Sequence, residues 1–337
     1  GNIIVATSYE GEPVRARQLE VAGAMTMLLK DAFRPNLVQT IEGGPVLIHG
    51  GPFANIAHGC NSLMATRAAM ALGDIVVTEA GFGSDLGFEK FCNIKCRLGG
   101  IEPQAAVLVG TIRALKLHGG AHKHMLSEEN VPALRDGLPN LDAHIANVQL
   151  HGLPPLVAIN RFASDTDAEV QVILEHCEAQ GVAADVLEIH AKGGAGGEAF
   201  AEKVVSAVNS GDSEFRYLYD NNWPIQRKVE TIATQVYGAD GVDWAPTAIK
   251  AIAFLEANGL GDTPVCMAKT PASLSDDPTR LGRPTDFTIS VRDVTPSAGA
   301  GFVVVHTGNV MTMPGLPKVP AANRMRVLPD GGVEGLF

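Results

Sequence analysis

The 337-residue sequence contains no Gly-Lys dipeptide. It therefore has no Walker-type loop, in which backbone N–H groups and a lysine grip a polyphosphate. Gly-x-Ser-x-Gly is also missing, which removes the local signature of an α/β-hydrolase nucleophile. No apolar run reaches the roughly 18 residues that a membrane-spanning helix needs. Positive charge is in deficit: 26 Lys and Arg stand against 37 Asp and Glu, a formal net charge of −11. That balance argues against nucleic acid or an anionic membrane as a main partner, and leaves room for a local basic pocket. Aromatics make up only 5%. The five cysteines, Cys60, Cys92, Cys96, Cys177 and Cys266, are odd in number and scattered. Such usage fits free thiols in the cytoplasm better than a disulfide framework. Gly1 to Val5 lack the basic flank and apolar stretch of a signal peptide and read as a strand.

Against these absences stand 46% hydrophobic residues, enough for real cores, and a length that suggests about two or three domains. The 37 glycines and 20 prolines exceed the usual combined share of about 12%, which implies tight turns and close backbone approaches. Apolar runs alternate with amphipathic stretches. Strands are expected at Val46–His49, Asp74–Glu79, Ala105–Gly110, Pro155–Asn160 and Ala184–Ile189. Helices are expected at Ala54–Leu72, Phe88–Arg97, Asn140–His151, Asp167–Gln180 and Glu198–Asn209. Continuous apolar strands between helices predict an α/β fold with a doubly wound, mostly parallel sheet. After a linker at Ser210–Ser213, helices are expected at Ile225–Tyr237 and Pro246–Asn258. Strands follow at Phe287–Val291 and Gly301–Val305, then a loop at Met311–Pro317. No internal repeat or low-complexity tract interrupts this order.

In such sheets ligands sit beyond the carboxyl ends of the strands. Three loops qualify: Glu79–Gly83, Asn160–Phe162 and His190–Gly194. The run Gly193–Gly197 could cradle an anion at a helix start or simply make a tight turn. Phe162 could stack on a flat heterocycle or anchor a core. Glu79, Phe82 and Asp85 sit beside flexible glycines, as a functional loop or as a capped turn with Asp85 near a helix start. His118, His122 and His124 read as a solvated loop, and Cys92 with Cys96 as one helix face. Neither set has metal-ligand spacing with further donors, so no metal site is expected.

Several long segments carry a specific resemblance. Ile48–Ser62 reads IHGGPFANIAHGCNS and Val77–Gly87 reads VTEAGFGSDLG. With Asn93–Arg97, Ser273–Pro278 and Met311–Pro320, they resemble formate–tetrahydrofolate ligase (formyltetrahydrofolate synthetase) from Gly1 to Phe337. The resemblance implies ATP-dependent ligation of formate to tetrahydrofolate through formyl phosphate. Family members carry a phosphate loop in a long N-terminal stretch, so the chain is expected to be the C-terminal portion, a fragment or one piece of a split protein, inactive alone. The implied organisation is the remainder of a P-loop NTPase-like nucleotide-binding domain over 1–140, an α/β domain with the folate pocket over 141–212, and a C-terminal α/β domain over 213–337. ATP with Mg2+ and a monovalent cation such as K+ or NH4+ are implied, in a cytoplasmic homo-oligomer, typically a tetramer.

The family's Asn-Arg-Phe-Pro loop reads Asn160-Arg161-Phe162-Ala163 here, and implies that Phe162 stacks on the pterin. The Trp of the opposite wall is replaced by His190, with Val186 lining the same slot. Glu79 and Phe82 match the loop near the formyl-transfer centre and are the implied catalytic pair. A second reading is a non-catalytic folate-binding or assembly module.

Overall fold

Strands Ala106–Gly110, Pro155–Asn160 and Ala183–Leu187 lie side by side in that order, all parallel, with Ile159 opposite Val186. This computed structural model describes residues 1–310 and 318–335; the expected loop at 311–317 lies outside the described residues. Helices Ile112–His118 and Val131–Leu150 connect the first strand to the second, and Asp167–Ala179 connects the second to the third. Val157 and Ile159 face that helical layer and pack with Ile112, Leu134, Ile145 and Ile173. Leu156 and Ala158 face the other way, onto Phe200 of helix Glu198–Ser210. Alternate residues thus enter different cores, so the strand reads as one apolar run. Each fully buried Leu, Ile or Val contributes roughly 1.5–3 kcal/mol.

Part of the glycine excess is used between two of these helices. A Cβ on Gly119 would lie 1.8 Å from the Ala133 carbonyl oxygen, and one on Gly137 would lie 1.9 Å from that of Leu115. Only hydrogen fits at either place. The long helix begins at Val131 rather than Asn140, because the Asn130 side chain caps it by accepting from the Ala133 N–H at 3.0 Å. It runs unbroken through the expected boundary at 140/141, and the parallel sheet draws strands from both sides of it.

A second sheet has the order Gly241–Trp244, Thr288–Ser297, Phe302–Thr307, Val265–Ala268. Its outer pairs are parallel and its central pair antiparallel. Helices Ile225–Gln235 and Pro246–Ala257 cover one face, with Val229, Ile232 and Ile252 against Ile289 and Val303. The opposite face presents Cys266, Ala268 and Val304 to Ile94. The fold is therefore mixed α/β with parallel strands, divided among several sheets.

The first 80 residues differ more from expectation. Two hairpins form, Ile4–Thr7 with Pro13–Arg15 and Asn36–Gln39 with Pro45–Ile48. The helix expected over Ala54–Leu72 exists only as Leu63–Leu72. Gly59 takes φ +62°, and the Ser62 hydroxyl starts the helix by accepting from the Ala65 N–H. Asp74–Glu79 forms no strand; a single bridge joins Ala80 to Cys60, and Ile75 and Val77 stay exposed.

Candidate functional site

Strand Pro155–Asn160 delivers Asn160 to its carboxyl end, where the Arg161 N–H extends the pairing by donating to the Leu187 carbonyl at 3.1 Å. The next four residues form a tight turn. The Phe162 N–H donates to the Asp165 carboxylate at 2.8 Å, and the Asp165 N–H returns to the Phe162 carbonyl at 3.0 Å. Thr166 then caps helix Asp167–Ala179 in a reciprocal box with Glu169. The turn is thus fixed by Asp165 where Ala163 stands in place of a proline. Arg161 is spent on the same job: its guanidinium pairs with Asp167 at 2.7 Å and reaches the Asp165 carbonyl.

The Phe162 ring is 38% exposed. The Arg113 guanidinium lies 4.4 Å from its centroid and donates to the Ser164 hydroxyl at 3.1 Å. A cation is therefore already seated against the ring.

The neighbouring strand, Ala183–Leu187, leads into a helical turn at Ile189–Lys192 that carries His190 on the surface. Asn160 is opposite Leu187 in register, so Phe162 and His190 follow adjacent, parallel strand ends. Val186 sits below this rim, paired with Ile159 and packed on the helical core. Lys192 is paired with Glu188. The Gly193–Gly197 run makes a 3₁₀ turn, and the Gly194 N–H donates to the Glu42 carboxylate at 2.5 Å. Here the glycines make the turn and one of their N–H groups meets a carboxylate of the same chain.

Glu79 and Phe82 belong to a different element. Glu79 is exposed and precedes the Ala80 bridge. Phe82 has φ +64° and is 49% exposed. A bulky side chain in the left-handed region costs on the order of 1–2 kcal/mol and persists only where the surroundings impose it. They do so here: a Cβ on Gly87 would lie 1.6 Å from the Gly81 carbonyl oxygen, so helix and loop are clamped together.

The helix following Phe82 is built of π-helical turns at Ser84–Phe88 and Phe91–Cys96, the wide geometry that recurs at functional sites. It buries Asp85, Glu89, Lys90, Asn93 and Lys95 together. Asp85 pairs with Lys269 at 2.9 Å, at the end of strand Val265–Ala268. Burial pushes the Glu89 carboxyl up to about 7, against the lowering effects of Asn93, Lys90 and Arg97. The Ser84 hydroxyl shares a 2.7 Å hydrogen bond with His144 and accepts from Asn147. The structure thus brings Asn160, Arg161, Phe162 and His190 to one rim and sets Glu79 and Phe82 on another loop.

Sequence reasoning missed Arg113 and Asp165. The second was within reach, because Asp165-Thr166 followed by Glu169 is a turn-and-cap string. Arg113 lies far from Phe162 in the chain and gives no local signal. His118 was placed on a solvated loop but ends helix Ile112–His118, and its Nδ1 accepts from the Gly282 N–H at 3.0 Å.

The geometry defines an α/β protein in which the loops carrying Phe162 and His190 leave the carboxyl ends of adjacent parallel strands, where such folds bind ligands. The family model of formate–tetrahydrofolate ligase matches residues 1–337, the whole length of the sequence. The chain belongs to that family, whose activity is a ligation in one-carbon metabolism with tetrahydrofolate, formate and ATP as substrates. No helix among the described residues is long and apolar enough to cross a membrane.

Proposed function

We propose that the protein takes part in ATP-dependent ligation of formate to tetrahydrofolate through formyl phosphate, this chain supplying the folate slot and part of the nucleotide site. The observation that carries this reading is the placement of two accessible rings, Phe162 and His190, at the exits of adjacent parallel strands. A pterin is flat, and ring stacking is a sequence-economical way to hold it. Phe162 offers one wall, held by the Asp165 turn; His190 offers the other. Asn160 stands at the strand end beside them, Arg161 positions the turn through Asp167, and Val186 supports the rim from below.

In the reaction a formate oxygen attacks the γ-phosphorus and ADP leaves. The folate N10 amine then attacks the formyl carbon, loses its proton, and expels phosphate. Both steps develop charge on oxygen, so positioning and electrostatics dominate. Phe82, held rigidly at φ +64°, and Glu79 are assigned to positioning near the formyl group. Mg2+ enters with ATP as part of the substrate, and activation by K+ or NH4+ belongs to the same reading. Among the described residues no group of three or more His, Cys, Asp or Glu side chains is arranged to hold a metal ion. The reading also includes three parts, 1–140, 141–212 and 213–337, and a cytoplasmic homo-oligomer.

Tetrahydrofolate titration tests the slot. Phe162→Ala is expected to raise the Kd about tenfold, the loss of one stacking contact. An unchanged Kd removes Phe162 from the site.

A further inference from the structure

Three parallel strands end side by side at the rim, in the order Ala106–Gly110, Pro155–Asn160, Ala183–Leu187. The folate slot uses the second and third exits. The first carries Arg113. Thr111 starts helix Ile112–His118 there, its hydroxyl accepting from the Ala114 N–H at 3.2 Å. Gly110 is opposite Ile159 in register, so this helix begins beside the Phe162 turn, and the His190 turn follows the strand on the other flank. Strand order therefore sets Arg113 and His190 on opposite sides of Phe162.

The Arg113 guanidinium lies over the Phe162 ring, 4.4 Å from its centroid, and donates to the Ser164 hydroxyl at 3.1 Å. One face of an exposed ring is thus taken by a cation, which leaves the face toward the His190 exit for a ligand. Lys95 shows a different outcome. Together with His58 it lines a cavity of about 900 Å³ beside the 84–99 helix, and its Nζ is 5.3 Å from the Phe91 ring. Phe91 is buried, so that ring has no open face for a ligand.

A benzene ring presents negative faces to whatever stacks on it. A guanidinium on one face draws electron density toward itself and leaves the opposite face less negative. Such a face repels an electron-rich partner less and attracts an electron-poor one less. Folates differ in this respect. In tetrahydrofolate the two ring nitrogens outside the pyrimidine are amines that feed electrons into it. In folic acid the same nitrogens belong to an aromatic pyrazine, which is electron-poor.

We propose that Arg113 is a specificity-determining residue of the slot. Seated on the outer face of Phe162, it biases the ring toward the electron-rich, reduced pterin and against the oxidised one. Arg113 acts through Phe162 and not by touching the ligand. The proposal rests on the folate-slot reading and adds to it a residue and a selectivity.

The test titrates the full chain with tetrahydrofolate and with folic acid. Arg113→Met keeps an apolar stem and removes the charge. It is expected to weaken tetrahydrofolate about fivefold and to change folic acid by less than about twofold, so the preference between them falls. Arg113→Lys keeps a cation and is expected to retain most of the preference. In a Phe162→Ala background, Arg113→Met is expected to alter the preference no further. Equal weakening of both ligands by Arg113→Met would show that Arg113 merely props the turn, and overturns the proposal. A preference lost as fully in Arg113→Lys does the same, and decides the matter if Arg113→Met fails to fold. So does a preference that still falls in the Phe162→Ala background. Failure of the slot itself looks different: Phe162→Ala then leaves both affinities at their wild-type values, and the proposal goes with the slot.

Discussion

At the rim of the parallel sheet the charged side chains have found partners: Arg161 with Asp167, Lys192 with Glu188, Lys203 with Asp185. In the cavity beside the π-helical segment, Lys95 and His58 have not. The rim is open to solvent and electrostatically settled, so it is suited to a flat ring held by stacking. The cavity side leaves a buried ammonium and an imidazole nitrogen without hydrogen-bond partners. The two regions thus differ in how their charged groups are met.

The contrast can be broken where charge is buried and paired. Lys116 and Glu169 form an ion pair at 2.8 Å with both side chains fully buried beneath the Phe162 turn. Glu169→Ala leaves an uncompensated ammonium and is expected to cost about 3–5 kcal/mol in urea unfolding. A loss below about 1 kcal/mol would mean that pairing matters little in this protein, and the distinction between rim and cavity would lose its force.

Glu89 sharpens the comparison on the cavity side. Its folded pKa is raised to about 7 from 4.5. Between those values the folded chain keeps a proton that the unfolded chain has released. Its contribution is therefore full below about pH 4.5 and is lost as pH rises toward 7. The change is on the order of 3 kcal/mol. Glu89→Gln is expected to flatten this part of the stability curve measured from pH 4.5 to 8. An identical slope in the variant would show that Glu89 is not the titrating group.

The smallest effect concerns Phe82. Phe82→Gly relieves the left-handed backbone and is expected to stabilise by about 1 kcal/mol, offset in part by greater freedom of the unfolded chain. Destabilisation by a similar amount would show that the ring, not the backbone, is what the loop needs.

Much of the rim was legible in the sequence. Pro155–Asn160 is apolar on both faces and Ala183–Leu187 is apolar apart from Asp185, and their exits mark the loops carrying Phe162 and His190. The cavity was not legible. Lys95 looks like one basic residue on a helix, and His58 like one histidine inside the expected helix Ala54–Leu72; only the fold brings both to one cavity. The segment from Ala54 to Glu79 was misread for a related reason. Its apolar content suggests a helix and a strand, yet Gly59 and the Ser62 cap delay the helix and Asp74–Glu79 finds no ladder partner among the described residues.

Backbone amide exchange with and without tetrahydrofolate tests the central claim, that folate sits on the rim. Protection is expected in 160–165 and 188–192, with 91–98 unchanged. Protection confined to 91–98, or absent from both strand-end loops, would contradict it.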